Sequence, residues 1–383
     1  SIPRYDNLQD YNEGFLKWAE WSYGPQTRIF NSVSFNNYKE CFFYDNIKTS
    51  LTYQFLEEDR ITRKYLNENY NNTYVDVHVY SINIDLVKNN FLYGIEYLHN
   101  NVFSFATENT QPRYPSEGSM MNTMALYSSF EKKIKNNLVF NIGSRFSSSK
   151  VDLSFGENDP VFVVNNIKKT NQSLTGNASL LFFPNKTNKF SFMVSKGFRS
   201  PNVDDFGKVF IKRDNIVLPN PELKPEYVYS FEFNLHKKIN NFLFKASVYN
   251  NSLLDLITKQ NLDSTVIYNG DTLSAQRLEN TSESYIRGFS FLCNYNLNKE
   301  SNIGFSFNNQ KGFDLSRNEP LGHIPPFYGK LFINLKFKKT FMYFWSDFAF
   351  KKDINEANSA SDNNDLATVE GWPKWQTFNF NIR

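Results

Sequence analysis

Aromatic and cationic side chains gather in three segments of this sequence, which we predict below to be long connections between strands. The segments are residues 1–26, 106–121 and 199–225. The candidate ligand-binding residues in them are Tyr5, Trp18, Trp21, Tyr23, Arg113, Tyr114, Lys212 and Arg213. Aromatic rings stack on flat ligands and cations attract negative charge, so this combination suits an anionic catecholate or hydroxamate complex. The same residue types stiffen loops and gather at membrane interfaces, and that alternative stays open.

Motifs for covalent chemistry are missing from the sequence. It contains no HExxH, GxSxG, CxxC or phosphate-binding loop. Cys41 and Cys293 give neither a metal-binding spacing nor a disulfide framework. Asp204 and Asp205 are adjacent, so on a strand they would face opposite sides, and we interpret them as solvated loop residues. We therefore predict no catalytic residue, no metal ligand and no cofactor.

Stretches of about ten residues with period-2 alternation occupy the remainder of the chain. In 226–236, the odd positions from Tyr227 to Leu235 are large and apolar, whereas most even positions are polar. Short Asn/Lys-rich connections centre on 37–46, 88–90, 132–137, 184–188, 237–241, 298–301 and 338–340. They alternate with long polar connections at about 57–72, 106–121, 147–172, 199–225, 258–284, 312–324 and 352–373. Strands of this length, with short turns at one end and long loops at the other, are typical of a bacterial outer-membrane β-barrel.

The alternation predicts an all-β, transmembrane antiparallel barrel to which this chain contributes about fifteen strands. The first strand covers about 27–36, which makes residues 1–26 an external loop, and the last begins at Lys374. The apolar phase changes within 75–86, and a β-bulge near Tyr80 would explain the change. The charge run from Glu57 to Arg60 is interpreted as a solvated loop. Fifteen strands cannot close with both ends on one side, so we expect part of a larger barrel.

Composition agrees with a barrel that has an apolar outside and a wet inside. Aromatic residues make up 17% of the chain, yet the mean hydropathy is −0.53. A strand with one apolar and one polar face produces both values, because the hydropathies of neighbouring residues cancel when they are averaged over a window. The net charge of +3 is too balanced to indicate a nucleic-acid partner. A soluble β-propeller or adhesin-like sandwich is the alternative, although no repeat of 40–50 residues is evident.

Sequence motifs around the 199–225 segment resemble those of a known family. Phe198-Arg199-Ser200-Pro201 ends one predicted strand, and Asn220-Pro221-Glu222-Leu223-Lys224-Pro225-Glu226 leads into the next. This pair resembles the FRAP and NPxL-KPE boxes of TonB-dependent outer-membrane receptors, with Ser200 in place of alanine. The Ile324-Pro325-Pro326 stretch and residues 371–380 are similar to later strand starts of that family. Proline suits strand ends because it donates no ladder hydrogen bond. The boxes are therefore either loop scaffolding or direct ligand contacts.

The resemblance implies a barrel of roughly 22 strands with a plugged lumen. Residues 1–383 would then be a partial barrel domain that lacks the N-terminal plug and the last two strands. The implied location is the bacterial outer membrane, in contact with its lipids. The implied partner is the TonB-type energising complex of the inner membrane, reached through the plug.

The resemblance also implies a function, which is energy-dependent uptake of a scarce nutrient. We expect a ferric siderophore or a similar metal complex. Heme-binding members carry a histidine between the two boxes, whereas residues 202–219 contain none. A receptor for heme, cobalamin or a glycan stays an alternative. So do a passive porin, a secreted adhesin and, among enzymes, an outer-membrane protease or lipase.

Overall fold

The computed structural model describes residues 2–3, 11–12, 15–107, 110–157, 159, 166–212, 215–268, 271–358, 362 and 367–383. Numbered along the chain, the strands are β1 (Ile2–Pro3), β2 (Tyr11–Asn12), β3 (Phe15–Leu16), β4 (Trp18–Asn37), β5 (Asn46–Lys64), β6 (Tyr70–Lys88), β7 (Phe91–Ala106), β8 (Ser119–Lys135), β9 (Leu138–Leu153), β10 (Ile167–Asn185), β11 (Asn188–Arg199), β12 (Phe210–Lys212), β13 (Asn215–Leu218), β14 (Glu226–Ile239), β15 (Phe242–Tyr268), β16 (Asp271–Asn296), β17 (Asn302–Asp314), β18 (Glu319–Pro320), β19 (Tyr328–Phe337), β20 (Thr340–Ala349), β21 (Lys352–Asp353), β22 (Gly371–Trp372) and β23 (Trp375–Ile382). A helix, α1 (Val203–Gly207), and a 3₁₀ helix (Ile354–Glu356) lie in the connections.

Fifteen of these strands, within the described part of the chain, contain at least eight residues, which confirms the predicted number. They pair antiparallel in chain order from β4 to β11, then through β14–β17 to β19, β20 and β23. Such a meander needs only hairpin connections. The predicted short turns are confirmed, for example at 89–90 and 240–241. We call the strand ends that meet the long connections the outer ends.

The two faces of this sheet differ as the alternation predicts. On β14, Tyr229 and Phe231 point to one face and are 45% and 48% exposed. Neighbouring strands continue this apolar surface through cross-strand ring contacts, such as Phe192 with Phe233 at 4.7 Å between centroids. We call this the outer face, and the opposite, mostly polar side the inner face. Cys293 lies on the outer face, and both cysteines are free.

Two predicted loops are wrong, because strands occupy most of their length. β5 and β6 extend to Lys64 and back from Tyr70, so only 65–69 connects them. β15 and β16 run for 27 and 26 residues through most of 258–284. β4 likewise begins at Trp18, so residues 18–26 are strand and not external loop. Beyond the apolar band both faces of a strand are polar, so the period-2 signal disappears while the hydrogen-bonded ladder continues.

The predicted bulge near Tyr80 is also wrong. The register of β6 with β5 and with β7 is uninterrupted, so even positions such as Ile82 and Tyr80 stay on the outer face. Val75 and Val77 therefore face inward, where they line a cavity at the outer end. The apparent change of phase reflects apolar residues on the inner wall.

A small hydrophobic core closes the outer end of the inner face. Val151 and Leu153 of β9 and Ile167 of β10 pack with Val203 and Phe206 of α1. Leu223, from the second sequence box, completes the cluster. The β12–β13 hairpin adds to the outer extension of β16, where β13 pairs parallel with Ser274–Arg277. The 199–225 connection is thus a folded cap held against the wall. Within the described residues, no helix has the length and apolarity needed to cross a membrane.

Candidate functional site

A cavity of about 770 Å³ lies between the cap, the 107–118 connection and the inner wall. Residues from β4 to β8 and from the start of α1 line it. They are Gln26, Thr27, Arg28, Leu56, Glu57, Glu58, Val75, Val77, Asn100, Val102, Arg113, Tyr114, Met121, Asn202, Val203 and Asp204. A volume of this order suits a small-molecule ligand, and charged groups at one end of an apolar pocket give such a site its orientation.

Tyr114 links the 107–118 connection to the cap. Its Oη donates a 2.8 Å hydrogen bond to Oδ1 of Asp204, and Lys208 Nζ lies 3.1 Å from Oδ2 of the same carboxylate. Burial, reinforced by the charge of Asp204, raises the pKa of Tyr114 above its ordinary value. The phenol is therefore a neutral donor throughout the physiological range.

Arg113 connects the same cavity to the wall. Its Nη1 lies 3.2 Å from Oε1 of Glu58, and Nη2 of Arg60 lies 3.3 Å from the same oxygen. The guanidinium of Arg60 in turn sits 5.5 Å from the ring centroid of Tyr23. Two guanidinium groups share one carboxylate here, so this end of the cavity carries surplus positive charge.

The predicted ligand-binding residues divide into three groups. Arg113 and Tyr114 line the cavity, whereas Tyr23 is not a lining residue but lies beside the Arg60 guanidinium, and Trp21 contacts Tyr23 edge to face at 5.4 Å. Trp18 lies further out on β4 opposite Lys64 and is not among the lining residues. For Lys212 only the backbone position in β12 is described, and Tyr5 and Arg213 lie outside the described residues.

Four important residues of this site were misinterpreted from the sequence. Asp204 is not a solvated acid but the acceptor for Tyr114, and Asp205 completes a capping box with Asn202 at the start of α1. Glu58 and Arg60 belong to a strand and face inward, so the charge run is not a loop. The Asn-x-x-Asp spacing of the capping box was a signal in the sequence.

The first sequence box anchors the start of the cap. Arg199 lies between two carboxylates, with Nη1 2.6 Å from Asp205 and Nε 2.6 Å from Glu226 of the second box. Asn171 of β10 donates a 3.0 Å hydrogen bond to the buried Ser200 hydroxyl. Pro201 is fully buried, whereas Phe198 contacts Tyr227 across the β11–β14 pair at 5.6 Å.

The second box anchors the end of the cap. Asn220 Nδ2 donates a 2.8 Å hydrogen bond to the carbonyl of Leu278, and its Oδ1 accepts from the Glu222 N–H at 3.0 Å. Asn280 pairs with both backbone groups of Lys224 at 2.9 Å. Pro221 and Pro225 flank these contacts without donating, as expected for proline. These hydrogen bonds agree with loop scaffolding, and none of the eleven box residues lines the cavity.

A second cavity of about 770 Å³ lies at the outer ends of β19, β20 and β23. Beside it Asp362, only 7% exposed, lies 3.1 Å from Lys352 Nζ and accepts the backbone N–H of His323 at 2.7 Å. Burial acts to raise the pKa of Asp362, but the N–H donors of His323 and Asn358 together with Lys352 lower it below its ordinary value. Through the Lys352 ion pair and the His323 hydrogen bond, Asp362 joins the connection before β19 to the connection after β20.

Comparison with known proteins identifies the class. The sequence matches the family model described as "TonB dependent receptor-like, beta-barrel" over residues 3–383. The chain therefore belongs to the TonB-dependent receptor family, whose members are outer-membrane proteins. No curated protein matches the sequence.

Solved structures confirm the fold. The copper transporter OprC is 12% identical, with a TM-score of 0.74 over 94% of this chain and 58% of its own. The ferric yersiniabactin uptake receptor FyuA from Yersinia pestis is 11% identical, with a TM-score of 0.61 over 99% and 57%. The siderophore receptor PirA from Acinetobacter baumannii is 11% identical, with a TM-score of 0.67 over 96% and 57%. This chain spans less than two thirds of the length of each.

Proposed function

We propose that this chain forms barrel wall and outer mouth of an importer for a ferric siderophore or a similar anionic metal complex. The observation that supports the proposal most directly is the cavity end where Arg60 and Arg113 share Glu58. Tyr23 and Tyr114 place aromatic rings beside these two guanidinium groups. A flat, negatively charged complex would gain both stacking and charge there.

The cavity residues would bind and orient the complex without breaking any bond in it. Arg113 and Arg60 attract the anion, and Tyr114 holds the cap against the wall through Asp204. Capture by this cap and wall precedes transport. In this proposal residues 1–383 form part of the barrel, and a plug within the lumen transmits the action of the TonB-type complex. Three structural relatives are described as handling copper, ferric yersiniabactin and a siderophore, which fits a metal complex as cargo.

Binding measurements on the receptor in detergent test the proposal. We expect a ferric tricatecholate, which carries three negative charges, to quench tryptophan fluorescence and to bind more tightly than an uncharged ferric trihydroxamate. Arg113→Gln removes one of the two shared guanidinium groups and should weaken tricatecholate binding about tenfold, or ~1.4 kcal/mol. The loss should shrink at high salt, because screening weakens charge attraction across a wet cavity.

Arg317→Gln is the matched control. Arg317 also pairs with a carboxylate, Glu279 at 3.1 Å, but does not line the cavity. Its removal should leave the affinity unchanged within twofold. Equal affinity of native protein and Arg113→Gln for the tricatecholate would contradict the assignment of the site. Preferential binding of heme, cobalamin or a maltooligosaccharide would contradict the assignment of the ligand.

A further inference from the structure

A cavity of about 730 Å³ lies on the inner wall, near the ends of β11 and β14–β17 that meet the short turns. Three basic residues stand side by side there, because Lys189 is the register partner of His236 and His236 is the register partner of Lys245. We call these three residues the basic row. The Nζ of Lys189 also lies 5.7 Å from the ring centroid of Phe183. The two lysines are two strand spacings apart, or roughly 10 Å.

The charge of the basic row is not neutralised within the described part of the chain. No aspartate or glutamate is among the residues that line the cavity. Glu232 lies further out on β14, where its Oε1 accepts a 2.7 Å hydrogen bond from Asn234 Nδ2. On β19, Lys330 stands at the same height of the wall, but it lies 3.4 Å from the Asp347 carboxylate. The basic row therefore leaves uncompensated positive charge on the lumen side.

A row of small polar side chains adjoins the basic row on its outer side. Its members are successive register partners from β11 to β17, namely Ser191, Asn234, Ser247, Ser290 and Asn308. Among the described residues, the hydroxyls of Ser191, Ser247 and Ser290 have no hydrogen-bond partner. Hydroxyl and ammonium groups are both donors, so together they suit the anionic oxygens of catecholate, hydroxamate or carboxylate groups.

The cavity lies far from the capture site at the outer end. Lys189 and Arg199 mark the two ends of β11, which are roughly 33 Å apart along an extended strand. Between them the outer face carries Phe190, Phe192 and Val194, which belong to the apolar band. The basic row thus stands where that band ends on the side of the short turns. A complex captured at the outer cavity passes this height before it leaves the barrel.

We propose that the basic row and the adjoining serines form a second, transient binding site for the anionic metal complex, close to its exit from the lumen. The inference rests on the proposed function, from which it takes the anionic cargo. A complex that leaves the outer cavity loses the attraction of Arg60 and Arg113. The two lysines supply favourable charge again at the other end of the wall. Their separation favours a bulky complex over a single phosphate or carboxylate group.

Initial uptake rates of radiolabelled ferric tricatecholate, measured in cells that produce the complete receptor and an active TonB-type complex, test this site. In the Lys189→Gln/Lys245→Gln double variant, we expect the maximal rate to fall about tenfold. The affinity of the purified variant for the tricatecholate should equal that of the native receptor, because the outer cavity is intact. Lys189→Arg/Lys245→Arg keeps the charge and should keep the rate. Lys330→Gln is the matched control and should also transport like the native receptor, since Asp347 already neutralises Lys330.

Two further measurements distinguish cargo from a luminal domain as the occupant of the basic row. If the row anchors such a domain, the glutamine double variant should admit small solutes without the energising complex and should unfold at a lower temperature. Either result would overturn the transient site, as would an unchanged maximal rate or a weakened affinity in detergent. Absence of energised uptake in the native receptor would refute the proposed function and this inference with it. Native uptake with an unaffected double variant would refute the inference alone.

Discussion

Phe206→Ala should release the cap that forms one side of the ligand cavity. Phe206 is 0% exposed and packs in one cluster with Val151, Leu153 and Leu223. Replacing a fully buried phenylalanine with alanine costs about 3–5 kcal/mol. Because the cap touches the wall through this cluster, the two sequence boxes and the β13–β16 pairing, the cost should fall on local opening of the cap and not on unfolding of the barrel. The population of the open cap should rise roughly 10²–10⁴-fold.

Hydrogen exchange and limited trypsinolysis measure this opening. Exchange across 200–225 should accelerate and cleavage after Lys208 should appear, while exchange in β14 and β15 stays slow. Tricatecholate binding should weaken too, because Asp204 leaves Tyr114 when α1 detaches. Ile211→Ala is the matched control, since Ile211 belongs to the same connection but is 38% exposed. Native protection of the cap in Phe206→Ala, or equal loss of protection in both variants, would refute the reasoning.

Two further perturbations test the wall and the outer connections. Gly94→Ala should destabilise the barrel by about 1–3 kcal/mol, because the added Cβ would clash with the backbone oxygen of Ile84 and would lie 2.6 Å from the Tyr127 hydroxyl of neighbouring β8. Gly143→Ala, where the nearest atoms are 3.5 Å away, should be neutral, and equal urea midpoints for the two variants would contradict this explanation. Since the folded-state pKa of Asp362 is lowered, its contribution is present above the unfolded pKa near 3.8 and is lost as the pH falls below it. Proteolysis of the 350–374 connection should therefore increase below about pH 4 in native protein, and Asp362→Asn should abolish most of that pH dependence.

Sequence alternation predicted the wall well, because each strand in the apolar band has one face that must be apolar. The pattern of β14 and the short turns follow from that single constraint. Outside the band the constraint disappears, so the extensions of β5, β6, β15 and β16 could not be distinguished from loops. Val75 and Val77 led to the wrong prediction of a bulge, because they are apolar residues that face a cavity on the inner wall.

The candidate site was predictable only in part. Tyr23, Arg113 and Tyr114 were selected by residue type, because aromatic and cationic side chains stack on flat ligands and attract negative charge. Their partners could not be selected in this way. Tyr114 binds a residue 90 positions further along the chain, and Arg113 binds one 55 positions earlier. Contacts of this range depend on how the cap folds against the wall.

Uptake by cells that produce the complete receptor tests the proposed importer most directly. Radiolabelled ferric tricatecholate would be supplied to cells with and without an active TonB-type complex, and to cells that produce the Arg113→Gln variant. We predict accumulation that requires the energising complex and that falls in the variant at limiting ligand concentration. Equal entry with and without the complex, for the metal complex and for small solutes alike, would contradict an energised receptor and indicate a passive pore.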